Sequence, residues 1–228
     1  MKVVISIGGS IIVPDGIDFR FLNKLKKVLF RLSKKHRIVV ITGGGKTARR
    51  YIEALEKEGA SEYTRDLVGI ECTRLNARFL SSFLGYLYKE VPRTLREVSV
   101  MLSRSRIVVC GGLGQGRRVD GGRTSDGTSA EIAQYIWAHL FINMTNVKGL
   151  YTKDPRKFKD AKFIPKISYK EFNKIMSKVK EKPGSHFILD SFAFRIVSRK
   201  KIKTIILCGV KNLQGAIEGK KFVGTVIS

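Results

Sequence analysis

Cysteine and histidine are scarce in this 228-residue chain. Cys72, Cys110 and Cys208 are odd in number, far apart, and form no C-x-x-C pair. That excludes a disulfide framework and a thiolate metal cage, and they read as reduced, mostly buried small hydrophobes. His36, His139 and His186 lack ligand spacing too, so no protein metal site is expected. No apolar run reaches the length of a membrane span, and Lys2–Ile7 is too short and too soon broken for a secretory signal. The expected location is cytoplasmic, without a membrane partner. Acidic side chains are also few: 19 Asp and Glu stand against 44 Lys and Arg, a formal net charge of +25. Such a balance favours anionic partners. The bases are spread along the whole chain and no RNA- or DNA-binding motif accompanies them. They read as a basic solvated exterior, with nucleic-acid binding as the minor reading.

What is present is an alternation of short β-branched runs and amphipathic stretches. Val3–Ile7 reads as a buried strand, with Ile11–Val13 continuing it briefly before a turn at Pro14-Asp15-Gly16. Leu22, Leu25, Leu29 and Leu32 recur at helical spacing over Asp18–Lys35, with Asp18 as cap. Ile38–Thr42 is a second strand, and a helix follows Gly45 to about Gly59 with Ala48, Tyr51, Ile52 and Leu55 on one face. Ala60–Asp66 reads as a polar turn and Leu67 to about Tyr88 as a long helix with Leu75, Phe79, Phe83 and Leu87 apolar. A helix over Arg93–Arg104 and a strand over Ile107–Cys110 precede a glycine- and arginine-rich loop, Leu113–Arg123. The rest reads as helix Ser125–His139, strand Leu140–Met144, loop Thr145–Pro155, strand Phe163–Ile167, helix Ser168–Lys180 with a Ser168/Glu171 capping box, and a break at Pro183-Gly184. Helix Ser191–Lys200, strand Thr204–Cys208, helix Asn212–Glu218 and strand Gly224–Ile227 complete the chain. This is one α/β domain over 1–228, a three-layer αβα sandwich around a mainly parallel sheet, with a soft lobe boundary near 145–155.

Three strand ends carry glycines: Gly8-Gly9, Gly43-Gly44-Gly45 and Gly111-Gly112. Parallel strands present their carboxyl ends along one edge, so the three turns converge, and glycine lets backbone N–H groups approach an oxyanion closely. The best-formed turn is the middle one, where Ile38–Thr42 stops at three glycines and a helix starts at once. A helix N-terminus adds partial positive charge to such a turn. Gly45-Lys46-Thr47 imitates the end of a P-loop, but Val40, in mid-strand, stands where the first glycine of G-x-x-x-x-G-K-[ST] belongs. Gly43–Ala48 also fits G-x-G-x-x-A, but the acid-tipped strand a dinucleotide site needs about 20 residues later is replaced by the polar stretch Ser61–Asp66.

At these residues the chain resembles the amino acid kinase superfamily, and within it the archaeal-type UMP kinase branch. Gly8-Gly9-Ser10 is similar to that family's first phosphate turn and Val40–Arg49 to its second. Asp66-Leu67-Val68-Gly69-Ile70 with Thr73-Arg74-Leu75-Asn76-Ala77 resembles its UMP-side helix. Thr145-Asn146-Val147-Lys148-Gly149-Leu150-Tyr151-Thr152-Lys153-Asp154-Pro155 is the most specific match, to the loop that receives the adenine and ribose of ATP. Lys203–Ile206 and Gly224-Thr225 are also similar. The resemblance implies transfer of the ATP γ-phosphoryl group to UMP, Mg²⁺ carried by the ATP phosphates, and a homohexamer built as a trimer of dimers.

Under this resemblance Gly9, Ser10, Gly44 and Gly45 offer backbone amides to the β- and γ-phosphates, and Arg49, one turn into its helix, reaches the same anion; Gly9, Ser10, Gly45 and Arg49 count on the ATP side. Gly44 and Asp66 belong to the UMP side, Asp66 accepting from ribose hydroxyls. Thr145, Tyr151 and Asp154 belong to the ATP side. Asp126, at a helix start, orders cationic groups. Two features depart from the family. Ser6 stands where many members carry a lysine that neutralises the transferring phosphate, so Lys46 or Arg49, helped by an arginine of the long loop, is expected to supply that charge. The loop after Gly111-Gly112 is also longer, carries Arg117, Arg118 and Arg123, and leads to Thr124-Ser125-Asp126; Thr124 and Ser125 are the candidates for uracil contacts. Two other functions stay open on the residues: a kinase of another small phosphate or carboxylate, and a non-catalytic oxyanion-binding member.

Overall fold

The computed structural model describes residues 1–14, 16–86, 90–114, 124–178 and 189–228. Asp15, Leu87, Tyr88, the loop arginines 117, 118 and 123, His186, the last two residues expected of the helix at 168–180, and Pro183-Gly184 lie outside them.

The elements in chain order are β1 (Lys2–Ile7), α1 (Gly9–Ile12), α2 (Phe19–Ser33), β2 (Arg37–Thr42), α3 (Gly45–Lys57), α4 (Glu62–Leu84), α5 (Leu95–Arg104), β3 (Ile107–Cys110), α6 (Ser125–Tyr135), β4 (Leu140–Met144), β5 (Leu150–Tyr151), β6 (Phe163–Ile164), β7 (Lys166–Ile167), α7 (Tyr169–Lys178), α8 (Ser191–Arg199), β8 (Thr204–Leu207), α9 (Val210–Glu218) and β9 (Gly224–Ile227). Among the described residues the main sheet has seven strands in the order β3-β2-β1-β4-β8-β9-β7. Its central pairs are parallel, Val4 standing beside Val39 on one side and Phe141 on the other, while β8 and β9 run antiparallel. Because side chains alternate along a strand, β1 feeds two cores. Val3, Ile5 and Ile7 pack with Leu22, Leu25 and Leu29 of α2 and Leu80 of α4 on one face; Val4 packs with Val98 of α5, Ile132 of α6 and Val197 of α8 on the other. Helices therefore cover both faces of a mainly parallel sheet. Among the described residues no helix is long and apolar enough to cross a membrane.

The caps fall where the sequence puts them. Asp18 accepts from the Phe21 amide at 2.9 Å, and Ser168 and Glu171 close a reciprocal capping box. Cys72 and Cys110 are buried, Cys208 is half-buried, and all three are free thiols.

Several expectations are corrected. Gly9–Ile12 is a short helical turn rather than a continuation of β1, because Gly8 turns the chain and Ile11 donates back to the Gly8 carbonyl at 2.8 Å. The polar stretch 62–66 is helical: Ser61 caps it by accepting from the Thr64 amide, and its polarity reflects exposure of the first turn. The long helix stops at Leu84, before Tyr88, because Gly85 takes φ +90°. Leu75, counted among the apolar positions of its helix, and Tyr51, placed on the apolar face of α3, are 65% and 54% exposed. Helix α6 ends at Tyr135, short of His139, and Leu140 opens β4. The loop after β4 contains β5, which pairs antiparallel with β6. Phe163–Ile167 is two strands in two sheets, divided by Pro165, which cannot donate to a ladder.

Candidate active site

The three glycine turns lie together at the carboxyl edge of β1, β2 and β3, and their closeness demands glycine. A Cβ on Gly9 would lie 2.2 Å from the Gly45 nitrogen and 2.3 Å from the Gly43 oxygen, so the first two turns touch backbone to backbone. A Cβ on Gly111 would lie 2.6 Å from the Arg74 nitrogen of α4. Part of the backbone here is already committed: the Gly8 amide donates to Met144 and the Gly43 amide to Ile7. The amides that open α3, from Gly45 onward, have no acceptor within their own helix and face this edge's turn.

Helix α4 locks this edge. Asn76 donates to the Gly43 carbonyl at 2.8 Å and Thr42 donates to the Thr73 carbonyl at 2.8 Å. The Gly112 amide donates to the Thr73 hydroxyl at 2.6 Å. Arg74, buried, donates to the carbonyls of Gly112 and Gly114 and pairs with Glu71 at 2.5 Å. Thr73, Arg74 and Asn76 lie in a stretch that resembles a family helix, but nothing local in the sequence gives them these partners.

Between α3, α4 and the start of α6 lies a cleft of about 250 Å³. Gly44, Gly45 and Arg49 line it from α3, Asp66 from α4, and Thr124 and Ser125 from the α6 N-terminus. Residues expected at separate points of the chain thus converge. Ala48, Ile52 and Ile70 give it an apolar wall. Burial pushes the Asp66 carboxyl above its ordinary value, against the pull of Arg65. Lys46 is exposed on the first turn of α3 and does not line the cleft.

Asp126 lies at the second position of α6, under this edge. It accepts from the Ser6 hydroxyl of β1 and from the Asn143 amide of β4, each at 2.9 Å. Burial and the nearby Asp190 push its carboxyl up to about 7, while the two hydrogen bonds resist. Asp190, unremarked in the sequence, caps α8 by accepting from the Ala193 amide at 2.6 Å and also accepts from the Thr124 hydroxyl, which itself caps α6. The signal for it was only a cap residue before a helix; its meeting with Thr124, 66 residues away, is tertiary.

The other expected residues stand apart from the cleft. Gly9 is buried against the second turn and Ser10 is half-buried in α1. Thr145 follows β4, its amide donating to Leu207 at 2.9 Å. Tyr151 lies 5.4 Å from Phe163, ring centre to ring centre. Asp154 accepts from the Arg156 amide and guanidinium at 3.0–3.1 Å, which holds its carboxyl below the usual range.

A glycine-lined, anion-receiving edge beside a small cleft of mixed polar and apolar lining can be compared with known proteins. Residues 1–208 match the amino acid kinase family. The chain belongs to that family. It is 37% identical, over all of both chains, to the uridylate kinase of Methanobrevibacter smithii, and 39% identical to that of Pyrococcus abyssi, covering 91% of this chain and 90% of that one. The crystal structure of the uridylate kinase from Archaeoglobus fulgidus superposes with a TM-score of 0.87 at 35% identity, covering both chains completely. For an amino acid kinase the mainly parallel sheet is as expected, and the UMP kinase of Ureaplasma parvum, at 19% identity and a TM-score of 0.80, shares the fold.

Proposed function

We infer that this amino acid kinase transfers the γ-phosphoryl group of ATP to UMP, giving ADP and UDP by direct in-line attack. The observation that carries the reading is the cleft that Arg49, Asp66, Thr124 and Ser125 line together, in a chain similar from end to end to archaeal uridylate kinases. Phosphoryl transfer needs alignment and charge neutralisation more than covalent chemistry. In this reading the acceptor enters the cleft. Asp66 accepts from its ribose hydroxyls, Thr124 and Ser125 meet the uracil, and Gly44 and Arg49 hold the α-phosphate. The donor phosphates lie over Gly9, Ser10 and Gly45, and the adenine and ribose lie along Thr145, Tyr151 and Asp154 beyond the soft boundary near 145–155 of this single domain.

Ser6 is too short to reach a phosphate as a lysine would, and its hydroxyl is already given to Asp126. Charge at the transferring group is therefore assigned to Lys46, exposed on the first turn of α3, and Arg49, exposed one turn in. Asp126 acts from below: fixed by Ser6 and Asn143, it holds the α6 N-terminus, with Thr124 and Ser125, against β1 and β4. The carboxylates at this edge fit Mg²⁺ as a guest of the triphosphate and water rather than of a protein cage. Asp126 is buried under two donors and Asp66 lies on the acceptor side, so neither supplies a hard-ion cage. When bound, the ion neutralises β- and γ-phosphate charge. A cytoplasmic homohexamer and a role in pyrimidine nucleotide synthesis complete the proposal.

A coupled assay with ATP and UMP, CMP, dCMP or small acyl acids as acceptors tests it. UDP formation with UMP preferred is expected. Turnover with another acceptor alone transfers the mechanism to that acceptor, and no ATP-dependent turnover with any of them makes the chain a binding member of the family.

A further inference from the structure

At the opposite edge of the sheet lies a second groove, about 580 Å³, lined by residues that precede β4 and β8: Tyr135, Trp137 and His139 on one side and Lys200, Lys201 and Lys203 on the other. β4 spans the distance from this groove to the catalytic edge, roughly 15 Å for a five-residue strand. Trp137 is the only tryptophan in the chain and is 79% exposed; Tyr135 is 47% exposed. The three lysines are exposed as well.

The backbone makes this exposure unusual. Helices α6 and α8 end alike. The Trp137 amide donates to Gln134 and the Ala138 amide to Ala133; the Lys201 amide donates to Ser198 and the Ile202 amide to Val197. Each is the paired 5→2 and 6→1 closure whose C′ residue takes left-handed φ and is ordinarily glycine. Among the described residues the two non-glycine residues at positive φ are Trp137, at 55°, and Lys201, at 48°. The ends of α3, α4 and α9 use Gly59, Gly85 and Gly219 instead. A bulky side chain in this conformation is strained and persists where its surroundings or its use require it. Burial does not require Trp137. Both strained positions line one groove, one supplying a ring and the other a cation.

We propose that this groove binds an unpaired nucleobase with its phosphates, the base stacking on Trp137 and Tyr135 and the phosphates meeting Lys200, Lys201 and Lys203. Base stacking on an exposed aromatic beside a lysine track is the sequence-tolerant mode of nucleotide and single-strand binding. The helix C-termini here would repel an anion, but Lys2 covers the Ile136 carbonyl at 2.9 Å and the three lysines oppose the rest. Arg195 and Arg199 of α8 continue the basic surface into the neighbouring groove beside Tyr169. That continuity accommodates either a free nucleotide or a strand carrying several phosphates, and the chain's net charge of +25 suits both.

Trp137 reports its own site by fluorescence. Without added Mg²⁺, so that no transfer occurs, the chain is titrated with each ribonucleoside triphosphate and, separately, with an oligouridylate of about ten nucleotides, the quenching lost in K200A/K203A being the groove's own. Saturable quenching is expected, and the tighter arm identifies the source. The K200A/K203A variant is expected to weaken binding about ten-fold, with kinase turnover unchanged. In equilibrium dialysis W137G abolishes the groove's binding while melting at or above the wild-type temperature, since glycine relieves the strained position, and W137F restores binding to within a few-fold. The proposal fails if neither probe quenches, if the lysine variant titrates like wild type, or if W137G binds undiminished.

Discussion

The cleft beside Gly44–Arg49 and the segment 145–158 leave the same edge of the same sheet, but they are held differently. The cleft is clamped from outside: Asn76, Thr73 and Arg74 of α4 hydrogen-bond the second and third glycine turns, and Thr124 is tied to Asp190, the cap of α8. The segment after β4 is anchored by the Thr145 amide on the Leu207 carbonyl, by the Leu150 amide on the Thr225 hydroxyl at 2.7 Å, and by the pairing of β5 with β6. Beyond that it leans on itself, through Asp154 with Arg156 and Lys153 with Asp160. A site for a small acceptor benefits from fixed walls, since orientation is most of what phosphoryl transfer asks of the protein. A donor segment held by exposed ion pairs can rearrange around a base at little cost, because such pairs contribute little to stability.

The largest test of the contrast is Gly9→Ala. Its Cβ would press 2.2 Å from the Gly45 nitrogen, against backbone that has nowhere to go. Separation of the two turns is expected to remove measurable UMP kinase activity and to cost about 3 kcal/mol or more of stability, read by coupled assay and thermal melting. Near-normal turnover in a folded variant would show that the turns are not clamped.

Arg49→Ala comes next. The side chain is exposed, so melting should not change, while kcat/KM for UMP falls about 100-fold, the loss typical of one preorganised donor to a developing charge. Lys46→Ala measures how the missing lysine at Ser6 is shared: a larger fall there than at Arg49 would move the essential cation out of the cleft.

Asp126→Asn tests the clamp through pH. A folded carboxyl at about 7, against an ordinary 3.8, means the native state holds its proton more tightly than the unfolded chain. The wild type therefore loses stability from this group as pH rises from about 4 through about 7. The Asn variant escapes that loss, so the melting temperature of D126N relative to wild type should climb across this interval and level off above it. A flat difference would mean that Asp126 is not buried as a neutral acid.

The smallest effect is expected of Asp154→Ala. It removes an exposed pair with Arg156, so melting should be unchanged, and KM for ATP should rise a few-fold with KM for UMP untouched. An equal rise in both would erase the distinction between the two regions.

Much of the fold was legible because it is local. The β-branched runs, Leu22/Leu25/Leu29 of α2, and the Asp18 and Ser168 caps each depend on residues within one or two turns. The glycine turns were legible as a set for the same reason. What escaped was either unsignalled or non-local. Helix α6 ends without a glycine, so its true end was invisible, and the strain at Trp137 with it. Glu62–Asp66 looked like a turn because an exposed helical turn and a loop share a polar composition.

The sequence by itself determined which runs become strands, which become helices, and that three glycine turns would share one edge, since backbone sterics and period dictate these. Only the tertiary structure decided that Gly9 must touch Gly43 and Gly45, that Arg74 would pin Gly112 and Gly114, and that Asp126 would meet Ser6 across 120 residues. Those facts follow from close packing between segments far apart in the chain, where a carboxyl's proton affinity and a glycine's necessity are set by neighbours that no local pattern names.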